Sequence, residues 1–138
     1  MSQTKKNKQF IIRYANAMNG AVKTKELIEE FVVDEKLIEH ILFFESVFPR
    51  YSGVIEEMTA EGNRVVLKVR MKCKHEGMLN GIPPTHREFE TSAVIGYEIE
   101  NEKIQRTWLV SDPLNIMKLL GLEEAVTIEK VPEQNQPR

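Results

Sequence analysis

Two residues in this chain are of a type, and at a place, to move protons. Asp112 follows Trp108-Leu109-Val110-Ser111 and precedes Pro113, and His75 closes the alternating row Val65, Leu67, Val69, Met71, Cys73. A carboxylate four residues beyond a tryptophan on one strand face can look into an apolar pocket, where desolvation raises its pKa toward that of a general acid or base. An aspartate before a proline at a helix start is also a common N-cap, a structural role worth about 1 kcal/mol. Both readings of Asp112 are open on the residues alone. His75 shares its parity with an apolar row and so points to the buried side, as a hydrogen-bonded wall residue or as the proton-sharing partner of Asp112. Four ligand-binding candidates accompany them. Trp108 offers an indole face to a planar ligand, or else packs as core. Tyr97 on the apolar face of a strand and Tyr14 on the apolar side of a helix offer hydroxyl donors, and Met71 offers a pliable wall. Asp112, Trp108 and His75 are expected to converge on one cavity lined by Met71 and Tyr97.

Other chemistries find little support. The single cysteine, Cys73, has no partner for a disulfide and no second thiolate for a zinc motif, and the three histidines lack metal-ligand spacing. No metal site is expected. No Walker or dinucleotide glycine pattern occurs, and no HExxH, so no nucleotide-dependent chemistry is indicated. The 19 Lys and Arg against 21 Asp and Glu leave a net charge of -2, which attracts neither nucleic acid nor an anionic membrane. No apolar run approaches the roughly 20 residues of a bilayer span, and the first residues lack a signal-peptide pattern, so the expected compartment is the cytoplasm.

The elements that must position these residues follow from periodicity. Phe10, Ile11, Tyr14, Ala15 and Met18 recur at helical spacing between Gln3 and Asn19, where Asn19-Gly20 supplies a stop. Thr24 can cap a short second helix, and Asp34 a third with Leu37, Ile38, Ile41, Leu42, Glu45 and Phe48 along one side, ended by Pro49. After Pro49 the period becomes 2, predicting strands at Gly53 to Glu61, around Val65 to His75, at Arg87 to Glu100 and at Ile104 to Ser111. Lys68, Arg70, Lys72 and Lys74 form one stripe and Glu88, Glu90, Glu98 and Glu100 another, as antiparallel neighbours would. A last helix is expected from Pro113 to Leu120. The pattern predicts one α+β domain over residues 1–125, a cone-shaped, curved, mainly antiparallel sheet with three N-terminal helices on its concave face, and a polar tail over 126–138 that is loosely ordered. Such a cone suits a small apolar ligand.

Three segments in order, FFESVFPRYSGVIEEMTAEGNRVVLKV, KCKHEGMLNGIPPTHREFE and NEKIQRTWLVSDPLNIMKLLG, resemble the SnoaL-like polyketide cyclase family of the nuclear-transport-factor-like, cystatin-like cone superfamily. The middle segment is similar to the family's THxGxxxGIPPTGRxxE, and the last is similar to its GKIxxHWxxxDxxxxxxQLG. The resemblance implies a cofactor-free site at the open end of the cone, with an acidic residue as general acid/base at the position of Asp112. It also implies a homodimer through the outer sheet face, where Lys68, Arg70, Glu88 and Glu90 would sit. Thr107 stands where the family usually has histidine, His86 where it has glycine and Arg50 where it has aspartate. A ligand-binding protein without turnover and an association module are the alternatives to an enzyme.

Overall fold

Ser2 opens the first helix, α1 (Gln3–Met18), by accepting from the Lys5 amide, and Asn19 and Gly20 close it, with Gly20 at φ +73°. The computed structural model describes residues 2–111 and 120 of the chain. Thr24 caps α2 (Lys25–Glu29) through the Leu27 amide, and Asp34 caps α3 (Glu35–Val47) through the Lys36 amide. All three caps fall where short polar side chains precede an apolar period.

Four strands follow: β1 (Ser52–Glu61), β2 (Arg64–Lys74), β3 (Glu88–Glu100) and β4 (Lys103–Ser111). They form one antiparallel sheet in the order β1-β2-β3-β4. Gly62 at φ +60° makes the first turn, and Asn101 and Glu102, at φ 54° and 53°, make the last. Bulges at Glu56 in β1 and at Gln105 in β4, opposite Glu98/Ile99 of β3, bend the sheet. The connection from α2 to α3 is bonded to the sheet by its backbone, with Ile104 donating to Phe31 and Val33 to Ile104.

The helices cover one face. Phe10, Ile11, Tyr14 and Met18 of α1, Ile28 and Val32, and Leu37, Ile38 and Ile41 of α3 form a single core with Val65, Leu67, Val69, Ala93, Tyr97 and Ile99 of the sheet. A second cluster of Val47, Phe48, Cys73, Phe89 and Leu120 fills the end where α3 stops. The outer face carries the charge stripes. Lys72 pairs with Glu90 and Lys74 with Glu88 in register, and the Arg70 guanidinium lies 3.2 Å from both Glu90 and Glu56. At half exposure these pairs each contribute up to about 1 kcal/mol. The expected last helix, the tail after residue 125 and Asp112 lie outside the described residues.

Candidate functional site

The inner sheet face is apolar along most of its area. Val65, Leu67, Val69, Met71 and Cys73 alternate inward on β2, facing Tyr97, Ile95, Ala93, Thr91 and Phe89 of β3. His75 extends this row past the end of β2, because its amide bonds the Arg87 carbonyl and its carbonyl takes the His86 amide. The imidazole is fully buried while Lys74 beside it is exposed, as the strand register requires. Its ring packs 5.9 Å from Phe48, centroid to centroid, and Phe48 in turn meets Phe89 edge-on. The Thr85 amide donates to His75 Nδ1 at 3.2 Å, and the Thr85 hydroxyl lies 3.0 Å from the same atom.

Tyr14 and Tyr97 meet edge to face at 5.8 Å in the core between α1 and β3. Burial pushes both hydroxyls well above the ordinary tyrosine pKa, so each stays a neutral donor. Met71 is half-buried and touches both apolar clusters. The structure thus brings His75, Met71, Tyr97 and Tyr14 to one side of the sheet.

Trp108 is not among them. In β4, Thr107 pairs with Tyr97 and Trp108 with Gly96, so Thr107 and Leu109 face inward and the indole lies on the outer face. This corrects the expectation that Trp108 shares a cavity with His75, Met71 and Tyr97. The physical reason is Gly96: a Cβ there would stand 2.2 Å from the indole Cε2, so the ring occupies space that only glycine leaves. Trp108 is 40% exposed, with the Arg106 guanidinium 5.9 Å from its ring centre.

A buried polar cluster escapes the sequence reading. Lys23, 3% exposed, donates to the carbonyls of Ala21 (3.1 Å) and Tyr51 (2.7 Å) and to Glu45 Oε1 (3.3 Å), and its ammonium lies 3.9 Å from the centre of the Tyr51 ring. Glu45 Oε2 accepts from the Arg50 amide at 2.9 Å. Burial lowers the Lys23 pKa from its usual 10.5, with Glu45 pulling the other way. Burial also raises the Tyr51 hydroxyl and pushes the Cys73 thiol from 9.0 up to about 12, so the thiol is no nucleophile at neutral pH. The available signal was Glu45, a charge on the apolar side of α3.

Four buried polar atoms have no partner among the described residues: His75 Nε2, Thr91 Oγ1, Thr107 Oγ1 and Asn7 Nδ2. Thr91 and Thr107 are inward positions of β3 and β4. Among the described residues, no group of three or more His, Cys, Asp or Glu could hold a metal ion, and no helix is long and apolar enough to cross a membrane.

The family model of the SnoaL-like polyketide cyclase matches residues 23–120. No curated protein matches the chain by sequence. Among solved structures, a candidate SnoaL-like polyketide cyclase from Jannaschia sp. CCS1 superposes with a TM-score of 0.75 at 20% identity, covering 87% of this chain and 95% of its own. AclR, a candidate hydroxylase from Streptomyces galilaeus, gives 0.74 at 17% identity, covering 96% and 97%. A SnoaL-like polyketide cyclase from Agrobacterium tumefaciens str. C58 gives 0.68 at 18% identity, covering 87% and 100%. At these identities the likeness is one of fold, and the names of these proteins span more than one reaction.

Proposed function

Because the chain belongs to the SnoaL-like polyketide cyclase family, we propose that its concave interior takes a small apolar or cyclic molecule and acts on it by cofactor-free acid/base chemistry of the cyclase, isomerase or hydrolase type. The observation that carries this reading is the set of unpartnered polar atoms on the helix-covered side, His75 Nε2, Thr91 Oγ1 and Thr107 Oγ1, in surroundings otherwise built of apolar side chains. A buried polar group without a hydrogen bond costs about 1–3 kcal/mol, a cost that a bound molecule with matching groups would offset. In this reading Asp112 is the general acid/base on the strength of the family resemblance alone, since the strand parity it shares with the outward-facing Trp108 does not support an inward carboxylate; His75 contacts the substrate, and Tyr14, Tyr97 and Met71 shape the space around it. The cytoplasm is the proposed compartment, since one cysteine cannot form an internal disulfide.

The test is a panel of small cyclic ketones, phenols and hydrocarbons scored by thermal unfolding and then by turnover. A ligand at a hundred times its Kd adds about 2.7 kcal/mol of stability. Asp112→Asn should bind the same ligand and keep the fold, since asparagine caps a helix as well as aspartate, but lose turnover. A panel without a single stabilising compound would refute the binding reading. Full turnover by Asp112→Asn would refute the assigned base.

The outer face favours a second reading, association of two copies. Val54, Val94, Trp108 and Val110 are exposed there between the charge stripes. We propose a homodimer through this face. Trp108 is the single tryptophan, so its fluorescence reports that surface alone. Acrylamide quenching should fall as protein concentration rises through the micromolar range, and Trp108→Glu should sediment as a monomer. A wild-type chain that stays monomeric at high concentration would refute the dimer.

A further inference from the structure

The dipeptide Asn-Gly occurs twice, at Asn19-Gly20 and at Asn80-Gly81. In this pair the side-chain amide is open to attack by the next backbone nitrogen, because glycine has no Cβ to obstruct the approach. The two glycines are alike. Gly20 and Gly81 hold φ +73° and +87°, and nothing stands within 4 Å of where a Cβ would be on either. The two asparagines differ. Asn19 follows α1 with both edges of its side-chain amide engaged by one backbone residue: Nδ2 donates to the Gly53 carbonyl and Oδ1 accepts from the Gly53 amide, each at 2.9 Å. Asn80 stands exposed at φ 47° in a two-residue turn, with no such clamp among the described residues. A reciprocal pair of main-chain bonds between Leu79 and Ile82, at 3.0 and 2.8 Å, closes that turn. Bonds of this kind in a solvated loop open far more readily than those of the sheet.

We infer that Asn80 is a site of spontaneous covalent modification, converting to aspartate and isoaspartate through a cyclic imide, and that Gly53 protects Asn19 from the same chemistry. When the turn opens, rotation of the Asn80 backbone brings the Gly81 nitrogen onto the side-chain Cγ. Hydroxide takes the Gly81 N–H proton and the N–Cγ bond forms. The Cγ–Nδ2 bond breaks, and Nδ2 takes a proton from water and leaves as ammonia. Water then adds to one of the two imide carbonyls. Cleavage of the new N–Cγ bond gives aspartate with the original main chain, whereas cleavage of the original peptide bond gives isoaspartate, whose main chain runs through Cβ and Cγ. Water and hydroxide are the only co-reactants. Either product places a new negative charge on the loop. Isoaspartate also lengthens the main chain between Leu79 and Ile82, so their reciprocal bonds no longer close, just ahead of the Thr85 amide that holds His75 Nδ1.

The test is incubation of the folded chain at mildly alkaline pH and 37 °C, followed by a short, slightly acidic tryptic digestion and mass mapping. Cleavage after Arg13 and Lys23, and after Lys74 and Arg87, places the two sites in separate peptides, 14–23 and 75–87. Two net hydrogen bonds correspond to about thirtyfold in a population, so peptide 75–87 should convert about thirtyfold faster than peptide 14–23. An isoaspartyl methyltransferase should label peptide 75–87 from the aged chain. In urea the two rates should converge, because unfolding removes the clamp from Asn19. Asn80→Asp keeps the original main chain, so it should escape the label when fresh and keep wild-type hydrogen exchange at the Leu79 and Ile82 amides, which the isoaspartate form of the aged chain should lose. Equal rates in the folded chain, faster conversion of 14–23, or an unchanged 75–87 would overturn the assignment of Asn80. A rate difference as large in urea would overturn the protection by Gly53, and retained exchange protection in the isoaspartate form would overturn the opening of the turn.

Discussion

Lys23→Met should be among the most damaging single changes outside the apolar core. The Lys23 and Glu45 side chains are 2% and 11% exposed, and the ammonium spends all three of its protons on oxygens at 2.7, 3.1 and 3.3 Å. Methionine fills a similar volume but donates nothing, leaving the Ala21 and Tyr51 carbonyls and one Glu45 oxygen unpaired. Removing one member of a buried ion pair costs about 3–5 kcal/mol. Glu45 keeps the Arg50 amide at 2.9 Å, so the lower end applies, about 3 kcal/mol, or roughly 10 °C in Tm for a chain of this size. Urea unfolding followed by circular dichroism measures it. The loss should be nearly the same at low ionic strength and in about 0.5 M salt, because buried pairs are poorly screened. Lys23→Met combined with Glu45→Leu should recover most of it, since no uncompensated charge remains. A single variant within about 0.5 kcal/mol of wild type, or a loss that vanishes in salt, would refute the argument by showing the ammonium to be solvated.

Alkaline pH provides a second check: with the Cys73 thiol raised from 9.0 to about 12, its contribution is complete below pH 9 and is lost as the pH rises toward 12. Stability should fall there by about 1.4 kcal/mol per pH unit from this group, and Cys73→Ala should remove that component of a pH series of urea midpoints. His86 holds φ +60°, so His86→Gly should raise stability by about 1 kcal/mol in the same assay; a loss would show that the side chain contributes more than the strain costs. Gly77→Ala should destabilise by about 2 kcal/mol or more, on the order of a core defect, because its Cβ would stand 1.8 Å from the Ser46 carbonyl oxygen.

The change of period after Pro49 placed helices and strands in the right order, because a face buried on one side leaves alternation in the sequence. Opposed stripes such as Lys72 and Lys74 against Glu90 and Glu88 gave the β2–β3 pairing for the same reason. His75 was legible through its parity with an apolar row. Trp108 was not, since Thr107, Trp108, Leu109 and Val110 offer no polar contrast to say which side is wet. That side is decided by Gly96 across the ladder, a long-range pairing that no local pattern contains. The burial of Lys23 was not legible, because two of its three acceptors, Glu45 and the Tyr51 carbonyl, are distant in sequence and two of the three are backbone carbonyls. The hold on His75 Nδ1 comes likewise from Thr85, ten residues away across a loop.

The fastening of the α2–α3 connection to Ile104 bears on how the chain is made. All three helices emerge from the ribosome early, but the backbone groups of Phe31 and Val33 that anchor their junction find partners only once β4 has been synthesised and has paired with β3. Until then the apolar sides of the helices have no sheet to lie on, and the nascent chain presents them to whatever else is nearby. The exposure of these faces during translation is thus a consequence of topology here. Because the fastening uses main-chain groups that every non-proline residue carries, substitutions at these positions can alter packing without removing the requirement that the sheet be finished first.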